Sequence, residues 1–269
     1  ENSISKKNFL KLINELISKD DEKKLEEITN FNFSDLIRDI KNLKQSDFEF
    51  IGSNIRWFNH KLNKKGLHLL RCILAEKIFY KKIKKYLNNK NFNFFYEKGF
   101  IKFPFDQVKL LKEMMSYLMN GHEKKQTKIK WKESYVKYLK NDNQREFHID
   151  SFHNTFKVWV YGGNIKTKHG PLNIIPNSQK NDFNKLKWLY KISNSNTGLT
   201  EPSFRLKKNY FRLFNKSIEI LPLNNKKTII LVNTYAFHKR GAIGKNTLRK
   251  SLRIAGDNDG GLKRQNPFK

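Results

Sequence analysis

Three side chains in this sequence could close around one metal ion. Phe147-His148-Ile149-Asp150 sets an imidazole and a carboxylate two residues apart. In an extended segment, residues at that spacing point to the same side. His238 is the third, at the end of the long apolar run 227–237 and just before a Gly-containing turn. Two imidazoles and one carboxylate can hold one face of an octahedral ion and leave three positions open, as non-heme Fe(II) oxygen chemistry requires. A closed zinc site needs a fourth ligand. No cysteine lies near enough in sequence to supply it, which leaves His153 and His169 as the candidates. In a chain with 7 histidines a lone H-x-D is a weak signal, so the weight rests on the combination.

Arg249 and Ser251 follow His238 by eleven and thirteen residues and share one face of an extended segment. A guanidinium fork with a hydroxyl beside it is a receptor for a carboxylate. A dicarboxylate that chelates the metal through a 2-oxo acid end could rest its far carboxylate there.

These groups need strands to carry them. Runs at 156–162 (FKVWVYG), 171–176 (PLNIIP), 217–222 (SIEILP), 227–237 (KTIILVNTYAF) and 247–255 (TLRKSLRIA) are short, apolar or alternating, and bounded by Gly, Pro and Asn. Such a series predicts a β-sandwich or barrel from residue 147 onward. A further β-like run ends at Pro104, and 106–119 (DQVKLLKEMMSYLM) has amphipathic helical spacing. Residues 1–92 read as helical, with Ser34 as an N-cap and an apolar helix running from Gly66 toward Tyr86. The interval 178–216 is too long for a hairpin loop. It contains the helix-like DFNKLKWLY and is expected to lie over the mouth of the barrel.

Composition bounds the rest. The chain has 269 residues, enough for one large domain, or for one domain plus a helical appendage. No run of 18 apolar residues occurs, so no membrane span is expected. The opening residues do not read as a secretion signal. A lone cysteine, Cys72, cannot build a disulfide framework, so a reducing, cytoplasmic setting is expected. The formal net charge is +30. Its source is Lys rather than Arg, with Asn also in excess, a pattern that coding bias produces. The lysines spread over the whole chain, so the charge by itself reads as a solvated basic surface. The charge-driven alternative is a nucleic-acid- or anionic-polymer-binding protein on the same fold without turnover. No recognised nucleic-acid motif supports it, and an enzyme-like chain that keeps the fold but binds a different metal or has lost turnover is the other alternative.

In order along the chain, these pieces resemble the phytanoyl-CoA dioxygenase-like branch of the Fe(II)/2-oxoglutarate-dependent oxygenases. FHID resembles the family's H-x-D, and Gly170-Pro171-Leu172-Asn173-Ile174-Ile175-Pro176-Asn177-Ser178-Gln179-Lys180 is similar to its G-x-L-x-x-x-P-G-S-H-K signature. His238 resembles the distal ligand and Arg249 the co-substrate arginine. YEKGFIKFP resembles the first strand, and Gln265-Asn266-Pro267-Phe268 is similar to endings in this group. The likeness covers about 95–268 and leaves residues 1–92 without a counterpart. Asn177 and Gln179 depart from the usual Gly and His, and Arg240 stands where a small residue is usual.

The resemblance implies a double-stranded β-helix (jelly-roll) core spanning 93–269 behind a helical region at 1–92, an α+β chain overall. It implies Fe(II) held by His148, Asp150 and His238. The implied co-substrates are O2 and 2-oxoglutarate, converted to succinate and CO2. Arg249, Ser251 and Trp159 would form the 2-oxoglutarate pocket. The presence of Asp150 favours hydroxylation or desaturation over halogenation, which needs a small residue there. Lys157, Arg205 and Arg240, with Lys207, Lys208 and Arg212, lie in or near the expected mouth. They favour an anionic small-molecule substrate.

Overall fold

The computed structural model describes residues 4–53, 60–107, 109, 111, 113, 130–195, 204–214, 217–221, 227–255 and 267–268. The chain opens with helices whose ends are set by short polar side chains. In α1 (Lys6–Leu16), Ser5 caps the N-terminus, and in α2 (Lys19–Thr29), Ser18 and Asp21 form a reciprocal capping box. In α3 (Phe33–Lys41) the cap is Asn32 rather than Ser34. The Asn32 side chain accepts from the Ser34 backbone N–H at 2.9 Å, which puts Ser34 inside the first turn. The helix α4 (Gln45–Ser53) follows.

The longest helix among the described residues, α5 (Leu67–Ile83), is buried on nearly every side. Its first half packs with α1 to α4, while Phe79, Tyr80 and Ile83 pack under a β-sheet. The helix α6 (Asn89–Lys98) crosses residue 92, so the helical part continues to the edge of the first strand. The helix expected at 106–119 falls mainly outside the described residues; within it, after the turn Phe105–Gln107, residues 109, 111 and 113 are helical.

Among the described residues ten strands form two antiparallel five-stranded sheets. The first sheet has the order β1-β8-β4-β10-β2, built from β1 (Phe100–Phe103), β2 (Lys130–Lys137), β4 (Phe156–Tyr161), β8 (Thr228–Asn233) and β10 (Leu248–Ala255). The second has the order β6-β3-β9-β5-β7, from β3 (His148–Ile149), β5 (Leu172–Ile174), β6 (Phe204–Arg205), β7 (Glu219–Leu221) and β9 (His238–Arg240). The fold is therefore α+β, as the sequence predicts.

The pleat sorts side chains to the two faces of the first sheet. Phe156, Val158, Val160, Ile229 and Leu231 pack against α5 and α6. Ile230, Val232, Trp159 and Tyr161 face the other way and share an apolar cluster with Leu172, Ile174 and Leu221 of the second sheet. The helix α7 (Phe183–Ser193) packs against α2 and α5, with α8 (Lys208–Phe214) beside it. Among the described residues no helix is long and apolar enough to cross a membrane.

Candidate metal centre

His148 and His238 face each other directly across the β3–β9 ladder. Their ring centroids are 4.6 Å apart. Asp150 lies just past the end of β3, where its backbone N–H donates to Thr234 O at 3.0 Å. That bond turns the carboxylate toward both rings. Asp150 Oδ1 lies 3.7 Å from His148 Nε2, and Oδ2 lies 3.6 Å from His238 Nε2. One ligand atom from each of the three falls within 4.8 Å of the others.

The tautomers follow from the backbone. His148 Nδ1 meets Glu146 O at 2.8 Å, and His238 Nδ1 meets Ala236 O at 2.9 Å. A carbonyl can only accept, so each Nδ1 carries the proton and donates it. Both Nε2 lone pairs then point at the shared space, as metal-binding imidazoles require. Burial pushes both imidazoles down, His238 to about 4, and so favours their neutral forms. Burial alone would raise the Asp150 pKa, but Lys157, His238 and His148 outweigh it and hold the carboxyl below the usual carboxylate range. Lys157 Nζ lies 2.8 Å from Oδ2 as an ion pair, yet that buried oxygen receives no aligned hydrogen bond. Two bare imidazole nitrogens and a buried carboxylate oxygen without a hydrogen bond fit a divalent cation. A donor set of two imidazoles and one carboxylate suits Fe(II).

The centre opens into a cavity of about 430 Å³. Lys157, Trp159 and Tyr161 line one wall, which strand alternation requires once one of them is placed. Arg249 stands beside them on the neighbouring strand β10 of the same sheet, its guanidinium carbon 5.3 Å from the Tyr161 ring centroid and its Nη1 donating to Gly170 O. Arg249 Nε is buried with no hydrogen-bond partner. Gly170 has φ +62, and a Cβ there would sit 2.3 Å from Ile243 Cγ1. Only glycine can turn its carbonyl to that arginine. Asn177, one departure from the family-like signature, has φ 67, a left-handed conformation that Asn tolerates almost as Gly does. The other, Gln179, is buried and donates to Tyr96 O at 2.7 Å.

The turn ahead of His238 is held on several sides. Ser178 Oγ accepts from Phe237 N at 2.8 Å, and the fully buried Lys185 donates to Ser178 O and Tyr235 O, both at 3.0 Å.

The structure brings most of the expected residues to one place, with three differences. Ser251 is buried in β10 but does not line the cavity; Arg249 and Arg253 of that strand do. Arg205 is next to His148 in the sheet, but its guanidinium bonds Asn143 O at 2.5 Å and lies 3.7 Å from Glu146, so it too is off the wall. No described residue of 178–216 lines the cavity; α7 packs onto the N-terminal helices because its apolar face, with Leu186 and Leu189, is absorbed there. Arg240 does line it, bonded to Asp142 at 3.1 Å.

Residues not foreseen include Tyr161, Lys239, Tyr135 and Arg253. Strand alternation from Trp159 could have found Tyr161. Tyr135 depends on β2, whose KWKESYVK sequence carries too little apolar alternation to announce a strand. Neither a family model nor a curated protein matches the chain.

Proposed function

We propose that the protein is an Fe(II)/2-oxoglutarate-dependent oxygenase of the phytanoyl-CoA dioxygenase-like kind that hydroxylates an anionic small molecule. On this reading the two sheets form a double-stranded β-helix. The observation that carries the proposal is the convergence of His148 Nε2, His238 Nε2 and the Asp150 carboxylate on one point at a cavity wall. Fe(II) held by His148, Asp150 and His238 would activate O2, the oxidant, whose two oxygen atoms would end in succinate, formed with CO2 from 2-oxoglutarate, and in the hydroxylated product.

The chain's own part is to position and to shield. Glu146 O and Ala236 O fix the two imidazoles, and the Thr234 carbonyl fixes the backbone of Asp150. Arg249, with a free Nε–H and an aromatic floor at Tyr161, is a receptor for the far carboxylate of 2-oxoglutarate. Trp159 and Leu172 give the cavity apolar walls that exclude water from the reacting groups. Lys157, Lys239, Arg240, Arg249 and Arg253 line it against the one carboxylate of Asp150. That surplus of positive charge favours an anionic substrate.

The test is succinate release by purified protein supplied with Fe(II), 2-oxoglutarate and pools of small anionic metabolites. Absence of iron-dependent succinate with every pool tried, together with no uncoupled turnover, removes the oxygenase reading. A second reading, a binder of nucleic acid or another anionic polymer without turnover, draws on the net charge of +30 and on Tyr135, which is 57 % exposed at the cavity rim. It requires salt-sensitive binding that is indifferent to iron. The buried thiol of Cys72 accords with a reducing compartment, and we infer a cytoplasmic setting.

A further inference from the structure

We propose that Lys157 is a built-in counter-cation of the metal centre, which neutralises Asp150 before a metal enters and is released into the cavity as an anion-binding group when it does. The inference rests on the metal-centre reading above. Lys157 Nζ lies 2.8 Å from Asp150 Oδ2, and that same oxygen lies 3.6 Å from His238 Nε2. A metal bound through Oδ2 would compete with the ammonium for that oxygen atom, while Oδ1, 3.7 Å from His148 Nε2, is the carboxylate's other donor. Like charges so close together in a largely buried site repel strongly, so both cannot stay.

The side chain is built to leave. Lys157 sits on β4 and reaches the centre along the cavity wall beside Trp159, and its side chain is 29 % exposed, against 10 % for Asp150. The long flexible stem can carry the charge back toward solvent while the backbone stays in the sheet. The ion pair lacks an aligned hydrogen bond at Oδ2, so departure breaks a charge contact and no well-formed bond. A buried carboxylate with no cation beside it would be costly, and Lys157 supplies that cation. Once displaced, the amine remains in a cavity already lined by Arg240 and Arg249.

Metal-free protein and its Lys157→Met variant should be titrated with Co(II), whose visible absorption reports coordination. Removal of the competing charge is expected to tighten Co(II) binding roughly tenfold or more. Equal or weaker binding by the variant overturns the inference while leaving the metal centre standing. Failure of the unmutated chain to bind Co(II) at all removes the centre itself, and this inference with it. If the variant does not fold, the unmutated chain still decides. Amine acetylation mapped by mass spectrometry, with and without Zn(II), should show Lys157 reacting several-fold faster in the Zn(II)-loaded protein relative to the other lysines. An unchanged or slower rate overturns the release step.

Discussion

The Lys185 side-chain amino group donates to the carbonyl of Tyr235 at 3.0 Å, three residues ahead of His238. It also bonds Ser178 O at 3.0 Å and lies 3.7 Å from the Phe237 ring centroid. A buried lysine on α7 thus holds the turn that presents His238. Lys185→Met leaves two buried carbonyls without their donor and is expected to destabilise the fold by about 2 kcal/mol. It should also weaken Co(II) binding several-fold, whereas Leu186→Ala, in the adjacent core, should cost similar stability and leave binding unchanged. Denaturation midpoints and Co(II) titrations of both variants make the comparison. Equal metal affinity in the two would show that Lys185 is a core strut only.

His148→Ala, Asp150→Ala and His238→Ala should each weaken divalent metal binding by about a hundredfold or more and abolish iron-dependent succinate release, since each removes one of three donors. Retained binding in all three variants would mean that the ion, if any, sits elsewhere.

Arg249→Met should raise the 2-oxoglutarate concentration needed for half-maximal turnover by about two orders of magnitude, because it strands a carboxylate in a buried pocket. Metal affinity measured without 2-oxoglutarate should stay as it was. A parallel loss of metal affinity would point to a collapsed wall, with Gly170 O also left without its donor.

Stability should fall on both sides of mildly acidic pH. Burial pushes His153 down to about 4. The unfolded chain takes up that proton near pH 6.5 and the folded one does not, so the contribution is whole above 6.5 and drains away as pH falls through 4. Burial pushes Glu76 up to about 7. Here the folded chain keeps a proton that the unfolded chain has lost, so the contribution is whole below 4.5 and is lost as pH rises through 7. Urea midpoints across pH 4 to 8 should show a flatter acid limb in His153→Gln and a flatter neutral limb in Glu76→Gln. Superimposable profiles for variant and unmutated protein would exclude the assigned groups.

Much of the centre was legible because its parts are local. His148 and Asp150 are two residues apart, and His238 ends a run, 227–237, whose β-branched residues announce β8. The strands β4, β5, β7 and β10 fall within the runs bounded by Gly, Pro and Asn. What stayed hidden depends on how the chain is placed in three dimensions. Lys157 pairs with Asp150 only because β4 passes the centre on its way across the first sheet, and no spacing rule encodes that. The face of α7 is amphipathic in sequence, but its pattern does not say that α2 and α5 will cover it rather than the cavity. Ser34 lost the capping role to Asn32 because two good cap residues lie two positions apart, and backbone geometry chose between them.

Each imidazole of the centre is aimed by the carbonyl two residues before it in the chain, Glu146 O for one and Ala236 O for the other. Those anchors are main-chain atoms, present whatever side chains occupy positions 146 and 236. Genetic drift can therefore rewrite the neighbourhood extensively without misdirecting either ring. A lineage could trade its substrate many times over and inherit the same two nitrogen lone pairs intact.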